Sequence, residues 1–214
     1  MKKQELLTNL QLEDAFQGFV PNPQSELWGW HGDLPIFEEL IRELRPELII
    51  EVGTWLGQST STMAQALKKH GLMNSCIVAV DTWLGSLEQW KTKEFRQSLG
   101  FQNGFPTLYP RFLSNMLNAG SADMIIPLPL PSLIAARYLQ EQHLEADLIY
   151  IDGSHDEKDV YEDIVAYWPL LKRSGCVFGD DWSWPSVVAA VKRFCSEEGL
   201  SYEFSEINWR IRKN

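Results

Sequence analysis

The sequence has only three cysteines, Cys76, Cys176 and Cys195, with no pair at metal-ligand spacing and no even set for a disulfide framework. They fall in apolar segments, which reads as buried, reduced thiols of a cytoplasmic protein. Positive charge is also scarce, with 19 Lys and Arg against 29 Asp and Glu and a net charge of −10. No basic run is present, which argues against a nucleic-acid backbone as partner. No apolar stretch approaches the ~18 residues that cross a bilayer, so no membrane role is expected. No apolar segment follows the two lysines near the amino end, as a secretory leader would require. The first glycine turn lacks the third glycine of Gly-x-Gly-x-x-Gly, so a dinucleotide pyrophosphate has no ready cradle.

What is present is a hydrophobic content of 44% over 214 residues, enough for one domain with a sizeable core. Apolar runs alternate with helical patterns. Strands are predicted at residues 48–52, 76–80, 124–128, 148–151, 176–178, 201–204 and 208–212. Helices are predicted at 34–44 with Asp33 as cap, 61–69 capped by Ser59 or Thr60, 110–118, 131–140, 156–171 and 185–198. The alternation implies an α/β fold, a doubly wound and mostly parallel seven-stranded sheet of Rossmann-like type. The last two strands are too closely joined for a crossover and should be antiparallel neighbours. Residues 1–32 read as an N-terminal helical extension, with a weak amphipathic helix over 1–20, before a domain at 33–214. Residues 82–120 read as an insertion or lid. Trp28 and Trp30 in the loop before residue 33 either anchor the extension or face a ligand.

Four strand ends carry acids: Glu51, Asp81, Asp152 and the Asp180–Asp181 pair. Strand carboxyl ends converge on one rim in such a sheet, where the ligand crevice lies. Gly53 and Gly57 read as positions where backbone passes close to a ligand. Asp81 can accept hydrogen bonds from both ribose hydroxyls of a nucleoside, or can cap its own turn. Glu51, two residues before Gly53, would repel a pyrophosphate and attract a cofactor carrying a cation. Three carboxylates at two neighbouring strand ends form a hard oxygen site suited to Mg²⁺ or another divalent cation. His155, three residues after Asp152, is a candidate general base; it can equally ligate the metal, cap the next helix or bind substrate. His31, His70 and His143 have no such context and read as surface or packing residues. Trp83, Trp182 and Trp184 are pocket walls or core.

The motif Glu51-x-Gly53-x-x-x-Gly57, the acid Asp81 and the closing antiparallel pair resemble those of class I S-adenosylmethionine-dependent methyltransferases. Residues 151–163 (IDGSHDEKDVYED) and 168–181 (WPLLKRSGCVFGDD) are similar to a narrower subset. It comprises macrocin-type sugar O-methyltransferases and cephalosporin-hydroxylase-like proteins. The resemblance covers roughly residues 46–212 and implies S-adenosylmethionine as cofactor. Glu51, Gly53 and Gly57 would then surround its methionine portion and ribose, with Thr54, Ser59, Thr82 and Asp152 as further contacts. Asp81 would hold the ribose hydroxyls, and Ser132 would lie near the adenine, where Leu130-Pro131 replace a common family acid. Asp152, Asp180 and Asp181 would hold the cation, with Asp152 and His155 catalytic. The implied reaction is O-methylation of a small hydroxylated molecule by an enzyme that can be a homo-oligomer. A cephalosporin-hydroxylase-like activity, or a non-catalytic cofactor-binding role, is the alternative.

Overall fold

The computed structural model describes residues 2–214. In chain order, α1 (Lys3–Asn9) and a long connection lead to α2 (Pro35–Leu44), then β1 (Leu48–Val52), α3 (Gln58–Lys69) and β2 (Cys76–Val80). The insertion holds α4 (Leu87–Lys91), α5 (Lys93–Ser98), a hairpin of β3 (Phe101–Gln102) and β4 (Phe105–Pro106), and α6 (Leu108–Asn118). Alternation resumes with β5 (Ile125–Leu128), α7 (Ser132–Glu141), β6 (Ala146–Ile151), α8 (Glu157–Tyr167), β7 (Leu171–Gly179) and α9 (Pro185–Glu198). The chain closes on β8 (Glu203–Phe204) and β9 (Trp209–Arg212).

Seven strands form one sheet in the order β5-β2-β1-β6-β7-β9-β8. The first five are parallel, and β9 runs antiparallel to both β7 and β8. β1 and β2 are buried at every position, because helices cover both faces of the sheet. One face packs Leu48, Ile50 and Val52 with residues of α1, α7, α8 and α9. The other packs Ile49 with residues of α2, α3 and α6. Register decides where the acids emerge. Val52 pairs with Val80 and Ile151, and Ile151 pairs with Gly179, so Gly53, Asp81, Asp152 and Asp180 leave the sheet side by side.

Local differences from the sequence reading have physical causes. The helix expected over 1–20 ends at Asn9; Gln11 takes a positive φ, and Asp14 accepts hydrogen bonds from the Phe16 N–H and the Lys3 ammonium. Leu6, Leu7 and Leu10 are buried in the core, and the Tyr138 hydroxyl donates to the Leu10 carbonyl. Asp33 does not cap α2; that position is Leu34, without a side-chain cap. Pro169 ends α8 early, in a short 3₁₀ turn at Trp168–Leu170. The helix after β1 starts at Gln58 with Gly57 as its cap, at φ 89°, so neither Ser59 nor Thr60 caps it. The insertion contains the β3–β4 hairpin and two short helices before α6.

The two glycines of the turn are required by the chain's own packing. A Cβ on Gly53 would lie 2.2 Å from the Asp152 carbonyl oxygen, and one on Gly57 would lie 2.4 Å from Met116 Cε. Gly53→Ala is therefore expected to destabilise by about 3 kcal/mol or more, adding left-handed strain to a backbone clash. Gly71→Ala, with the same sign of φ but open space around it, should cost about 1 kcal/mol. Urea denaturation of the two variants checks the difference; equal losses would remove the packing explanation.

Candidate active site

The turn after β1 is held by carboxylates on both sides. Asp81 Oδ2 accepts hydrogen bonds from the N–H groups of Thr54 (2.9 Å) and Trp55 (3.0 Å), and its Oδ1 accepts from the Trp83 N–H (2.7 Å). These three donors favour the charged form, but burial outweighs them and raises the Asp81 pKa. Glu51 points into the opposite, apolar face of β1 and is wholly enclosed. The Ser59 hydroxyl donates to its Oε1, while Oε2 has no partner. Burial, opposed by Ser59 and Thr60, pushes the Glu51 carboxyl up to about 7.

At the next two strand ends, Asp152, Asp180 and Asp181 crowd together with two histidines. Asp180 is buried; its Oδ2 lies 2.9 Å from His31 Nδ1, and its Oδ1 accepts from Asn208 Nδ2 at 3.2 Å. Asp181, in a left-handed conformation, has Oδ2 2.8 Å from His155 Nε2. His155 Nδ1 lies 3.3 Å from Glu88 Oε2, and the imidazole stacks on Trp184 with ring centres 4.6 Å apart. The Tyr150 hydroxyl donates to Asp152 at 3.1 Å. Burial, then the charges of Asp180 and Asp181, hold Asp152 well above the usual carboxylate range. The hydrogen bond to Asp181 pushes His155 up to about 9, against the effect of its own burial. His31, Asp180 and Asp181 form one group whose ligand atoms lie within 4.8 Å of one another, and Asp152, His155 and Asp181 form another. The two groups share Asp181.

Two cavities open on this rim. The first, of about 370 Å³, holds the acid and histidine cluster, with Trp30, Trp55, Phe95 and Trp184 as aromatic walls and Thr54, Gln58 and Ser59 beside them. The second, of about 320 Å³, is bordered by Asp81, Thr82, Ser132 and Asp163. Gly53 and Gly153 border both. Of the residues singled out in the sequence, Gly53, Thr54, Ser59, Asp81, Thr82, Ser132, Asp152, His155, Asp180 and Asp181 thus reach a cavity wall. Glu51 and Gly57 do not; the first acts through Ser59, and the second lies under Met116 and Phe112.

Several site residues escaped the sequence reading. His31, read as a surface or packing residue, is an ion-pair partner of Asp180. It is delivered by residues 29–32, which press on α3 so closely that a Cβ on Gly32 would lie 2.8 Å from the Ser59 nitrogen. Trp28, Trp30 and Trp55 form one aromatic cluster over the turn. Trp83 is core, packed on Tyr109 and Phe112, and Trp182 stacks on Phe204, so of the three tryptophans only Trp184 is a wall. Asp163 of α8 accepts a hydrogen bond from the Ser132 hydroxyl and lies on the same cavity wall; burial raises it to about 6. No local pattern marks Asp180 as the partner of His31 or Asp163 as that of Ser132.

Glu51 gives a pH prediction. Its folded pKa lies above the ordinary 4.5, so it contributes stability that is complete below about pH 4.5 and lost as pH rises through about 7. Relative to Glu51→Gln, the wild type is expected to lose roughly 3 kcal/mol between pH 4.5 and 8. Denaturation curves of both proteins across that range check it; parallel profiles would mean that Glu51 titrates normally.

Comparison with known proteins follows the geometry. A family model described as a methyltransferase domain matches residues 50–182, more than half of the chain. An uncharacterised protein, y4gI, of Sinorhizobium fredii is 26% identical over 191 residues, covering 83% of this chain. The chain spans only 19% of that relative's length. Among solved structures, the calicheamicin methyltransferase CalS11 superposes with a TM-score of 0.63 at 17% identity, over 98% of this chain and 90% of that one. The O-methyltransferase TomG from Streptomyces achromogenes, in complex with S-adenosylmethionine, gives 0.57 at 17% identity, over 100% and 92%. At these identities the structures show a shared fold, that of the class I S-adenosylmethionine-dependent methyltransferases. With the matched family model, they establish that the chain belongs to the methyltransferase domain family.

Proposed function

We propose that this chain is an S-adenosylmethionine-dependent O-methyltransferase for a small hydroxylated molecule, acting with a divalent cation. The observation that carries this reading is the pair of cavities meeting at Gly53 and Gly153, one walled by Asp81, Ser132 and Asp163, the other by the acid and histidine cluster. A nucleoside in the second cavity would meet Asp81, whose oxygens keep lone pairs for ribose hydroxyls, and the Ser132–Asp163 pair near its base. The methionine end would then cross the glycine rim toward Asp152.

The residues present fit this cofactor. Glu51 Oε2 and Thr54 Oγ1 are buried without partners at the turn, and a nearby cation would stabilise the charged form of Glu51. Bound there, S-adenosylmethionine would supply an electrophilic methyl group to an acceptor hydroxyl, leaving as S-adenosylhomocysteine, while a base of this chain would take the hydroxyl's proton. The aromatic walls exclude water and orient the acceptor, which is most of what such a transfer requires of the protein.

Asp152, Asp180 and Asp181 supply the carboxylates for a cation such as Mg²⁺, with His31 and His155 within ligand reach. The cation supplies charge that lowers the pKa of a hydroxyl beside it. His155 can take the acceptor's proton only after losing its own. Asp181 and Glu88 hold that proton up to about pH 9, so engagement of Asp181 elsewhere is what would free the imidazole. Trp184 keeps the ring plane fixed meanwhile.

Four measurements test the reading. Isothermal titration with S-adenosylhomocysteine should show saturable binding that Asp81→Ala weakens at least tenfold; no heat at high micromolar ligand would sink the cofactor assignment. Electron paramagnetic resonance with Mn²⁺ as the probe should show a bound ion that Asp181→Ala abolishes, and a chelator should stop turnover. Undiminished turnover in chelator would remove the metal. His155→Ala should lower kcat about 10²- to 10⁴-fold with little change in cofactor binding.

A further inference from the structure

The acceptor cavity has an unusual charge balance. Four carboxylates border it, those of Glu88, Asp152, Asp180 and Asp181. Among the described residues its lining includes no lysine and no arginine, and His31 and His155 are the side chains there that can carry positive charge. Both imidazoles already face carboxylates, at 2.9 and 2.8 Å. The surroundings of His155 do not change the balance: Glu88 and Asp181 flank the ring edges and Trp184 covers one face. A phosphate needs a fork of guanidinium or ammonium donors, or a helix amino terminus free to bind it. The start of α3 is overlaid by residues 29–32; the starts of α4 and α9 also border the cavity, the first closed by its own Ser86–Gln89 capping box and the second opening on Pro185, which has no N–H to give. Even a divalent cation would only offset part of the carboxylate charge and leave no positive surplus.

The rest of the wall is aromatic, with Trp30, Trp55, Phe95 and Trp184 around a volume of about 370 Å³. Flat aromatic faces bind the apolar faces of rings, and they attract cations through their quadrupole. Glu88 adds to this. It stands on α4 of the insertion at the mouth, its side chain half exposed, facing the side of His155 away from Asp181.

Building on the O-methyltransferase reading, we propose that the acceptor is a hydroxylated ring compound carrying no negative charge, and that a protonated amine on it is recognised by Glu88. Amino sugars and other aminated ring alcohols belong to this class; nucleotide-linked sugars and coenzyme A thioesters do not. The cavity admits the ring between tryptophans and presents its hydroxyl to the Asp152–Asp181 edge, with the amine toward the insertion.

Three probes sharing one ring test this: methyl glucosaminide, methyl glucoside and glucose 1-phosphate. Their dissociation constants are measured by ligand-observed magnetic resonance on the whole chain, with and without S-adenosylhomocysteine. The expected order is the amine tightest, the neutral glycoside next, and the phosphate weaker than the neutral probe by roughly tenfold or more. Glu88→Gln should weaken the amine several-fold and leave the neutral glycoside unchanged. Phosphate binding at least as tight as the neutral probe, loss of both uncharged and amine affinities on Glu88→Gln, or failure of all three probes to saturate each overturns the proposal. Absence of S-adenosylhomocysteine binding in a parallel titration would instead count against the methyltransferase reading, and the probe order is read independently of it.

Discussion

Three carboxylates leaving adjacent strands on one rim cannot all stay charged unless positive groups stand among them. The parallel register of β6 against β7 puts Asp152 beside Asp180, and Asp181 follows in the chain. Other parts of the site answer that crowding. The segment before α2 brings His31 to Asp180, and the loop after β6 brings His155 to Asp181. Tyr150 donates to Asp152 from within β6 itself. A cation would replace several of these compensations at once, which is why the cluster and the candidate metal centre are the same atoms.

The sheet was legible in the sequence because its strands are buried on both faces. Such strands read as mostly apolar runs, and an acid directly after β2, β6 and β7 marks the rim. The closing antiparallel pair followed from the shortness of its connection. Asp81, Asp152, Asp180 and Asp181 could be assigned to one edge on topology alone.

What escaped was set by contacts between distant parts of the chain. Nothing near His31 signals Asp180, 149 residues further on. Gly53 and Gly57 read as room for a ligand; a neighbouring strand end and α6 also require a glycine at each. The need for glycine shows in one dimension; what demands it does not. Trp83 and Trp184 each stand close behind an acidic strand end, yet one became core and the other a wall. Ser132 lies on a cavity wall, and the carboxyl beside it comes from α8 rather than from its own loop.

The Asn115 side chain of α6 has a further consequence. Its amide donates to the carbonyls of Glu26 (3.0 Å) and Leu56 (2.8 Å), and its oxygen accepts from the Ser25 hydroxyl at 2.6 Å. One buried side chain thus ties the early segment, the glycine turn and the insertion together. During synthesis the early segment emerges long before Asn115, and Asp180 later still. The cavity beside Asp152 takes its walls from the early segment, the turn after β1, the insertion and the turn after β7, so it is complete only when all four are in place. A partly made or clipped chain would lack it, so loss of site function should precede loss of the sheet as the protein opens.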